Sequence, residues 1–161
     1  MFKKSPSQIT LKVLSSLKRI IRDHNQLKLF VGVGNVLRSD DGTGVYIAER
    51  IKESEHIRVL KAEVSIENYV GKINSIRPDL LIIVDSVFFG EKPGYWKYIS
   101  VEKLMDYTTN THNISFKQIS EMFTSQVWIL GIQPESVAFG EEISPAVMQS
   151  ADEIVDIING E

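Results

Sequence analysis

No cysteine occurs among the 161 residues of this chain. Disulfides, thiolate nucleophiles, zinc fingers and iron–sulfur clusters are thereby excluded. A metal held here must be held by oxygen and imidazole nitrogen, and only three histidines are present. Positive charge is not in excess either: 18 Lys and Arg against 21 Asp and Glu leave a net charge of -3. That balance argues against nucleic acid, since phosphate binding needs a basic surface. No apolar run approaches the ~20 residues of a membrane span. The opening Met1-Phe2-Lys3-Lys4-Ser5-Pro6 is positively charged, but Lys12, Lys18, Arg19 and Arg22 interrupt the segment after it. It therefore lacks the apolar stretch of a signal peptide. Internal repeats and low-complexity tracts are absent as well. The expectation is one soluble, cytoplasmic domain over 1–161, with 1–27 as an N-terminal helical extension, long enough to bury a core.

What is present is alternation of helix and strand. Residues 7–23 place Val13, Leu14, Leu17, Ile20 and Ile21 three and four apart, which predicts an amphipathic helix packed on the rest of the fold. Strands are expected over 28–33, 57–63 and 80–84, and again over 127–132, where Val127-Trp128-Ile129-Leu130-Gly131-Ile132 reads as buried. Leu80-Leu81-Ile82-Ile83-Val84 is the strongest of them, continuous and apolar, as for a strand covered on both faces. Tyr95 to Val101 alternates like an edge strand. Helices are expected over 43–53, 66–76 and 115–124. A last one opens at Ser144-Pro145, with Ser144 as cap and Pro145 in the first turn. The implied fold class is α/β: a three-layer sandwich with a mostly parallel, twisted sheet of about five strands and helices on both faces.

In such sheets ligands bind beyond the carboxyl ends of the strands. Asp41 lies past the first strand, Glu67-Asn68 past the second, Asp85 at the end of the third and Gln133-Pro134-Glu135 past the last. All are expected on one rim. Asp41, Asp85 and His112 can together offer one ion two carboxylates and an imidazole. Open positions would remain for substrate and water, which suits nickel, zinc or manganese.

Each candidate also has a plainer reading. The glycines of Gly32-Val33-Gly34-Asn35 let the chain turn tightly. They also resemble the start of a dinucleotide fingerprint, but the third glycine is misplaced and the following Asp40-Asp41 would repel phosphate. Of the adjacent Asp40 and Asp41, one is expected to face the site while the other caps a helix or stays solvated. Asp85 closes a run of five apolar residues and needs a partner. His112, in a polar loop, reads by itself as a surface or capping residue more readily than as a ligand. His24 and His56 look ordinary, and no nucleophile elbow is present.

Five segments in order carry a resemblance. They are Gly32 to Gly44 (Gly-Val-Gly-Asn-Val-Leu-Arg-Ser-Asp-Asp-Gly-Thr-Gly), Glu67-Asn68, Ile83-Val84-Asp85-Ser86 with Gly90 and Pro93-Gly94 behind it, Thr111-His112-Asn113, and Gly131-Ile132-Gln133-Pro134. Together they resemble the nickel–iron hydrogenase maturation endopeptidases over roughly residues 28–158. The likeness is greatest to the branch serving formate-hydrogenlyase and energy-converting hydrogenases. The resemblance implies a compact α/β fold and removal of the C-terminal tail of a hydrogenase large-subunit precursor after nickel insertion. It implies that Asp41, Asp85 and His112 are both the metal contacts and the catalytic residues. Gly34, Asn35, Asp40, Glu67, Asn68 and Gln133 would then form the surrounding rim. Nickel would come with the precursor, and other divalent ions could replace it in vitro. A non-catalytic checkpoint protein that binds the nickel-loaded precursor is the alternative, since the same three ligands would serve recognition alone.

Overall fold

The structure is a computed structural model that describes residues 8–104 and 113–161. Its elements in chain order are α1 (Gln8–Arg22), β1 (Lys28–Val33), α2 (Thr43–Arg50), β2 (Ile57–Glu63), α3 (Val70–Ile76), β3 (Leu80–Ser86), β4 (Trp96–Ser100), α4 (Val101–Leu104), α5 (Asn113–Ser120), β5 (Gln126–Ile132) and α6 (Pro145–Asn159). The described residues form a five-stranded sheet in the order β2-β1-β3-β5-β4. Four strands run parallel, and β4 pairs antiparallel with β5 at the edge, with Trp96 opposite Ile132.

The pleat divides the core in two. Successive side chains of a strand point to opposite faces, and β3 obeys this with nothing polar until its end. Ile82 and Val84 enter a cluster with Leu17 of α1, Ile47 of α2 and Ile154 and Ile158 of α6. Leu81 and Ile83 enter the opposite cluster with Ile73 of α3 and Leu104 of α4. Both faces of the sheet are therefore covered by helices. Full burial of each such side chain stabilises by roughly 1.5–3 kcal/mol.

Helix α1 belongs to this core, since Leu17 is fully buried. A lysine fixes its end. Lys28, fully buried at the start of β1, donates from Nζ to the carbonyl of Ile20 at 3.3 Å and to that of Asp23. An ammonium thus adds a second donor to the Ile20 carbonyl, which already accepts the Asp23 N–H at 3.2 Å, and bonds the Asp23 carbonyl just past the helix, at the end where the helix dipole favours positive charge.

Several boundaries differ from the sequence expectation, each with a cause. Helix α2 stops at Arg50 rather than near 53. Asn159 of α6 donates from Nδ2 to the Arg50 carbonyl at 3.0 Å and accepts from the Lys52 N–H at 2.8 Å, replacing the helical partners of both. Residues 66–76 open as a 3-10 turn over Ile66–Tyr69 and become α-helical at Val70. The last expected helix begins where Ser144-Pro145 places it, but the Ser144 hydroxyl does not cap it. That hydroxyl is bonded to Asp40 instead. Strand β3 runs through Asp85 to Ser86, and the short α4 follows β4 directly.

Candidate active site

The turn after β1 delivers Asp41. Gly34 has φ +135, and a Cβ there would stand 1.8 Å from the carbonyl oxygen of Asp41, so only glycine lets the two backbone stretches meet. Its N–H donates to the Glu63 carbonyl at 2.8 Å, tying the turn to the end of β2. Asn35 folds the next residues over itself. Its side-chain oxygen accepts from the Leu37 N–H at 2.9 Å, while its own N–H donates to Asp41 Oδ2 at 3.0 Å. Gly44, in the first turn of α2, brings that helix against both strands, since a Cβ there would lie 2.1 Å from the Val84 carbonyl oxygen and 2.4 Å from that of Val33. The loop carrying Asp41 is therefore pressed against the C-terminal end of β3.

Asp85 is there. One oxygen, Oδ1, would lie 3.7 Å from a Cβ on Gly34, the same Cβ that would collide with Asp41. Ser86 joins the two acids: its N–H donates to Asp85 Oδ1 at 2.8 Å and its Oγ to Asp41 Oδ1 at 3.0 Å. Both carboxylates are half-buried. Burial, and after it the negative charge of Asp41, push the Asp85 carboxyl well above its ordinary range, against the opposing effect of the Ser86 N–H. Two acids sharing a poorly solvated corner are costly unless a proton or a cation joins them.

Asp40 has another task. It is fully buried, and its carboxylate accepts from four donors: Glu135 N at 2.8 Å, Ser136 N at 3.0 Å, Ser144 N at 2.7 Å and Ser144 Oγ at 2.8 Å. Burial alone would raise its pKa, but these bonds outweigh it and hold the carboxyl below the ordinary value. From sequence the partner of Asp41 is expected to cap α2 or stay solvated; Asp40 instead is buried and does neither. It fastens the 134–144 loop and the start of α6 to the Asp41 turn.

Gln133 is likewise a fastening. It is buried, and its Oε1 accepts from the Phe89 N–H at 2.7 Å and the Glu91 N–H at 3.4 Å, holding the loop after β3. Glu67 and Asn68 are exposed in the 3-10 turn after β2. They share the rim, since β2 pairs in parallel with β1, but the donors bonded to Asp41 come from Asn35 and Ser86. His112 lies outside the described residues. Among the described residues no three His, Asp or Glu side chains gather closely enough to hold an ion. Ser86 is the site residue that sequence reasoning left out. The sequence carries it only as the last residue of the Ile83-Val84-Asp85-Ser86 segment, with no sign of its role, because its bond to Asp41 spans 45 positions of chain.

Comparisons with known proteins find relatives of the chain and of its fold. The family described as HycI, hydrogenase maturation protease, matches residues 44–161, beginning just after Asp41. The hydrogenase 3 maturation protease of Escherichia coli K12 is 26% identical over 134 residues, covering 80% of this chain and 86% of its own length. The crystal structure of the [NiFe] hydrogenase maturation protease HycI from Thermococcus kodakarensis KOD1 superposes with a TM-score of 0.77 at 28% identity, covering 90% of this chain and 97% of that one. The solution structure of the endopeptidase HycI from Escherichia coli gives 0.68 at 26% identity, with 83% and 90% covered. The chain belongs to the hydrogenase maturation protease family. It is accordingly a peptide-bond hydrolase.

Proposed function

We propose that this chain cuts the C-terminal tail from a nickel–iron hydrogenase large-subunit precursor once nickel has been inserted, and that Asp41, Asp85 and His112 grip the nickel the precursor brings. The observation that carries this reading is the pairing of Asp41 with a desolvated Asp85 at the rim. A divalent cation relieves the repulsion between them, and carboxylate oxygens are suitable donors for it. We assign the third donor to His112 on the family resemblance.

The nickel is part of the substrate. Bound between its precursor ligands and this rim, it would hold the scissile peptide in place and draw electron density from the carbonyl or from a bound water. Water adds its oxygen to the carbonyl carbon, the C–N bond breaks, and the amide nitrogen leaves with a proton. A carboxylate oxygen of the pair left free by the ion would take the proton that water loses and pass it to the leaving nitrogen. A precursor without nickel offers the rim nothing to hold, so selectivity and chemistry share one cause. Family membership favours this over a checkpoint that binds without cutting.

The test is to incubate the purified chain with nickel-loaded and nickel-free precursor and weigh the products. The tail mass should be lost only from the loaded form, and Asp85→Asn and His112→Ala should yield no product. Normal processing by the His112 variant would remove the histidine from the mechanism. Equal cleavage of both precursors would remove the nickel grip.

A further inference from the structure

Seven large apolar side chains are exposed among the described residues, and five of them, Val36, Leu37, Val64, Phe88 and Phe139, come from the segments that build the acid pair. The Val36 Cα lies 2.9 Å from where a Cβ on Gly42 would stand, beside Asp41. The Leu37 carbonyl accepts the N–H of Gly140, the neighbour of Phe139, at 2.8 Å. Val64 follows Glu63, whose carbonyl takes the Gly34 N–H. Phe88 stands two residues past Ser86. Four separate loops thus each expose bulky apolar side chains at one rim. Scattered exposed hydrophobic residues are ordinary, but clustered ones mark an interaction site. Phe139 is 87% exposed and Val64 64%, so neither contributes appreciably to the core.

We infer that these five side chains form an apolar collar that seats an extended, apolar stretch of the precursor polypeptide on either side of the bond to be cut. This rests on the function proposed above. The occupant is a peptide because the chain is a peptide-bond hydrolase, and a bond brought to Asp41 and Asp85 must trail its flanking residues over the surrounding loops at about 3.3 Å each. Charge narrows the choice. The exposed acids Glu63, Glu67, Glu135 and Glu142 outnumber Arg38 and Lys92 on these loops, so the seated stretch should carry basic residues rather than acidic ones. A second copy of this chain suits the collar less well, since two such acidic rims would repel.

Amide chemical shifts of the isotope-labelled chain test the idea without any cleavage. The probe is a blocked octapeptide of Leu, Val and Lys, beside one twin with Ser for Leu and Val and another with Glu for Lys. Titration with the first should move the amides of residues 36, 37, 64, 88 and 139, and both twins should move them far less. Phe139→Ser and Val64→Ser should each weaken the probe's binding about tenfold, with the fold intact because both sites are exposed. In the precursor assay the same variants should raise KM and leave kcat unchanged. Shifts confined to other surfaces, or equal shifts with the Ser twin, would overturn the collar. So would a concentration-dependent dimer in sedimentation that Phe139→Ser abolishes, because the occupant would then be a second copy. If the probe binds but no precursor is cut, the proposed function fails and the collar stands; if cleavage proceeds while the probe is ignored, the collar alone fails.

Discussion

Ser86 is shared by Asp41 and Asp85: it donates its hydroxyl to the first at 3.0 Å and its N–H to the second at 2.8 Å. The arrangement keeps two carboxylates side by side where one would be easier to bury. The cost falls mainly on Asp85, whose proton affinity is raised by burial and then by Asp41.

Asp85→Asn should therefore stabilise the fold. A carboxyl whose folded pKa exceeds its unfolded value stabilises the fold fully below the unfolded value of ~3.9, and that contribution is lost as pH rises through the folded value. At pH 7 the wild-type chain therefore carries an unfavourable charge that asparagine lacks, while the amide oxygen still accepts from the Ser86 N–H. Urea unfolding should show the variant more stable at pH 7 by on the order of 1 kcal/mol, discounted for partial contact with solvent. The advantage should shrink as pH is lowered towards 4. A variant less stable than wild type at both values would mean that the acid pair is not strained.

Asp40→Asn has the opposite sign. The carboxylate serves three backbone N–H groups and a hydroxyl, and an amide offers one oxygen with an NH2 turned on donors. Loss of stability at pH 7 should be about 2–4 kcal/mol. Because the folded pKa lies below the unfolded one, the contribution is present above the unfolded value and lost as pH falls through the folded value. The cost of the substitution should accordingly fade in acid. A pH-independent cost would point to packing rather than charge.

Gly34→Ala tests the turn itself. The added Cβ would overlap the Asp41 carbonyl oxygen at 1.8 Å, in a backbone region that side chains rarely enter. Either the Asp41 loop moves or the fold loses several kcal/mol, about 3 or more. Urea unfolding and the amide spectrum read the two outcomes separately. Wild-type stability together with unmoved amides at 35–41 would contradict the close approach.

The parts of this layout that the chain states locally are legible in its sequence. Five apolar residues in a row announce β3, alternation announces β4 as an edge, and a carboxylate closing an apolar run marks Asp85. The hidden parts are long-range. The four donors to Asp40 come from residues 135, 136 and 144, and the residue that ends α2 is Asn159. No window of sequence around Asp40 or Arg50 contains those partners. The choice between Asp40 and Asp41 turns on them. A pair of adjacent acids looks symmetrical in sequence and becomes distinct only when one side chain is claimed by a loop nearly a hundred residues away.

Lys28→Met separates the N-terminal helix from the chemistry. Lys28 is fully buried, and burial lowers its pKa while the nearby Asp23 and Asp79 raise it. Its ammonium is bonded to the carbonyls of Ile20 and Asp23, at the C-terminal end of α1. Methionine keeps the volume and the apolar stem but leaves those two carbonyls without that donor, so the end of α1 should open more often. Amide exchange over residues 17–22 should quicken several-fold, while amides of Leu81 to Val84 in the central strand should exchange as before. Cleavage of the nickel-loaded precursor should be unchanged, since the acid pair lies at the opposite end of the strands from Lys28. Exchange that quickens equally in β3 would show instead that the lysine supports the whole fold, and a fall in cleavage would place α1 in contact with the substrate.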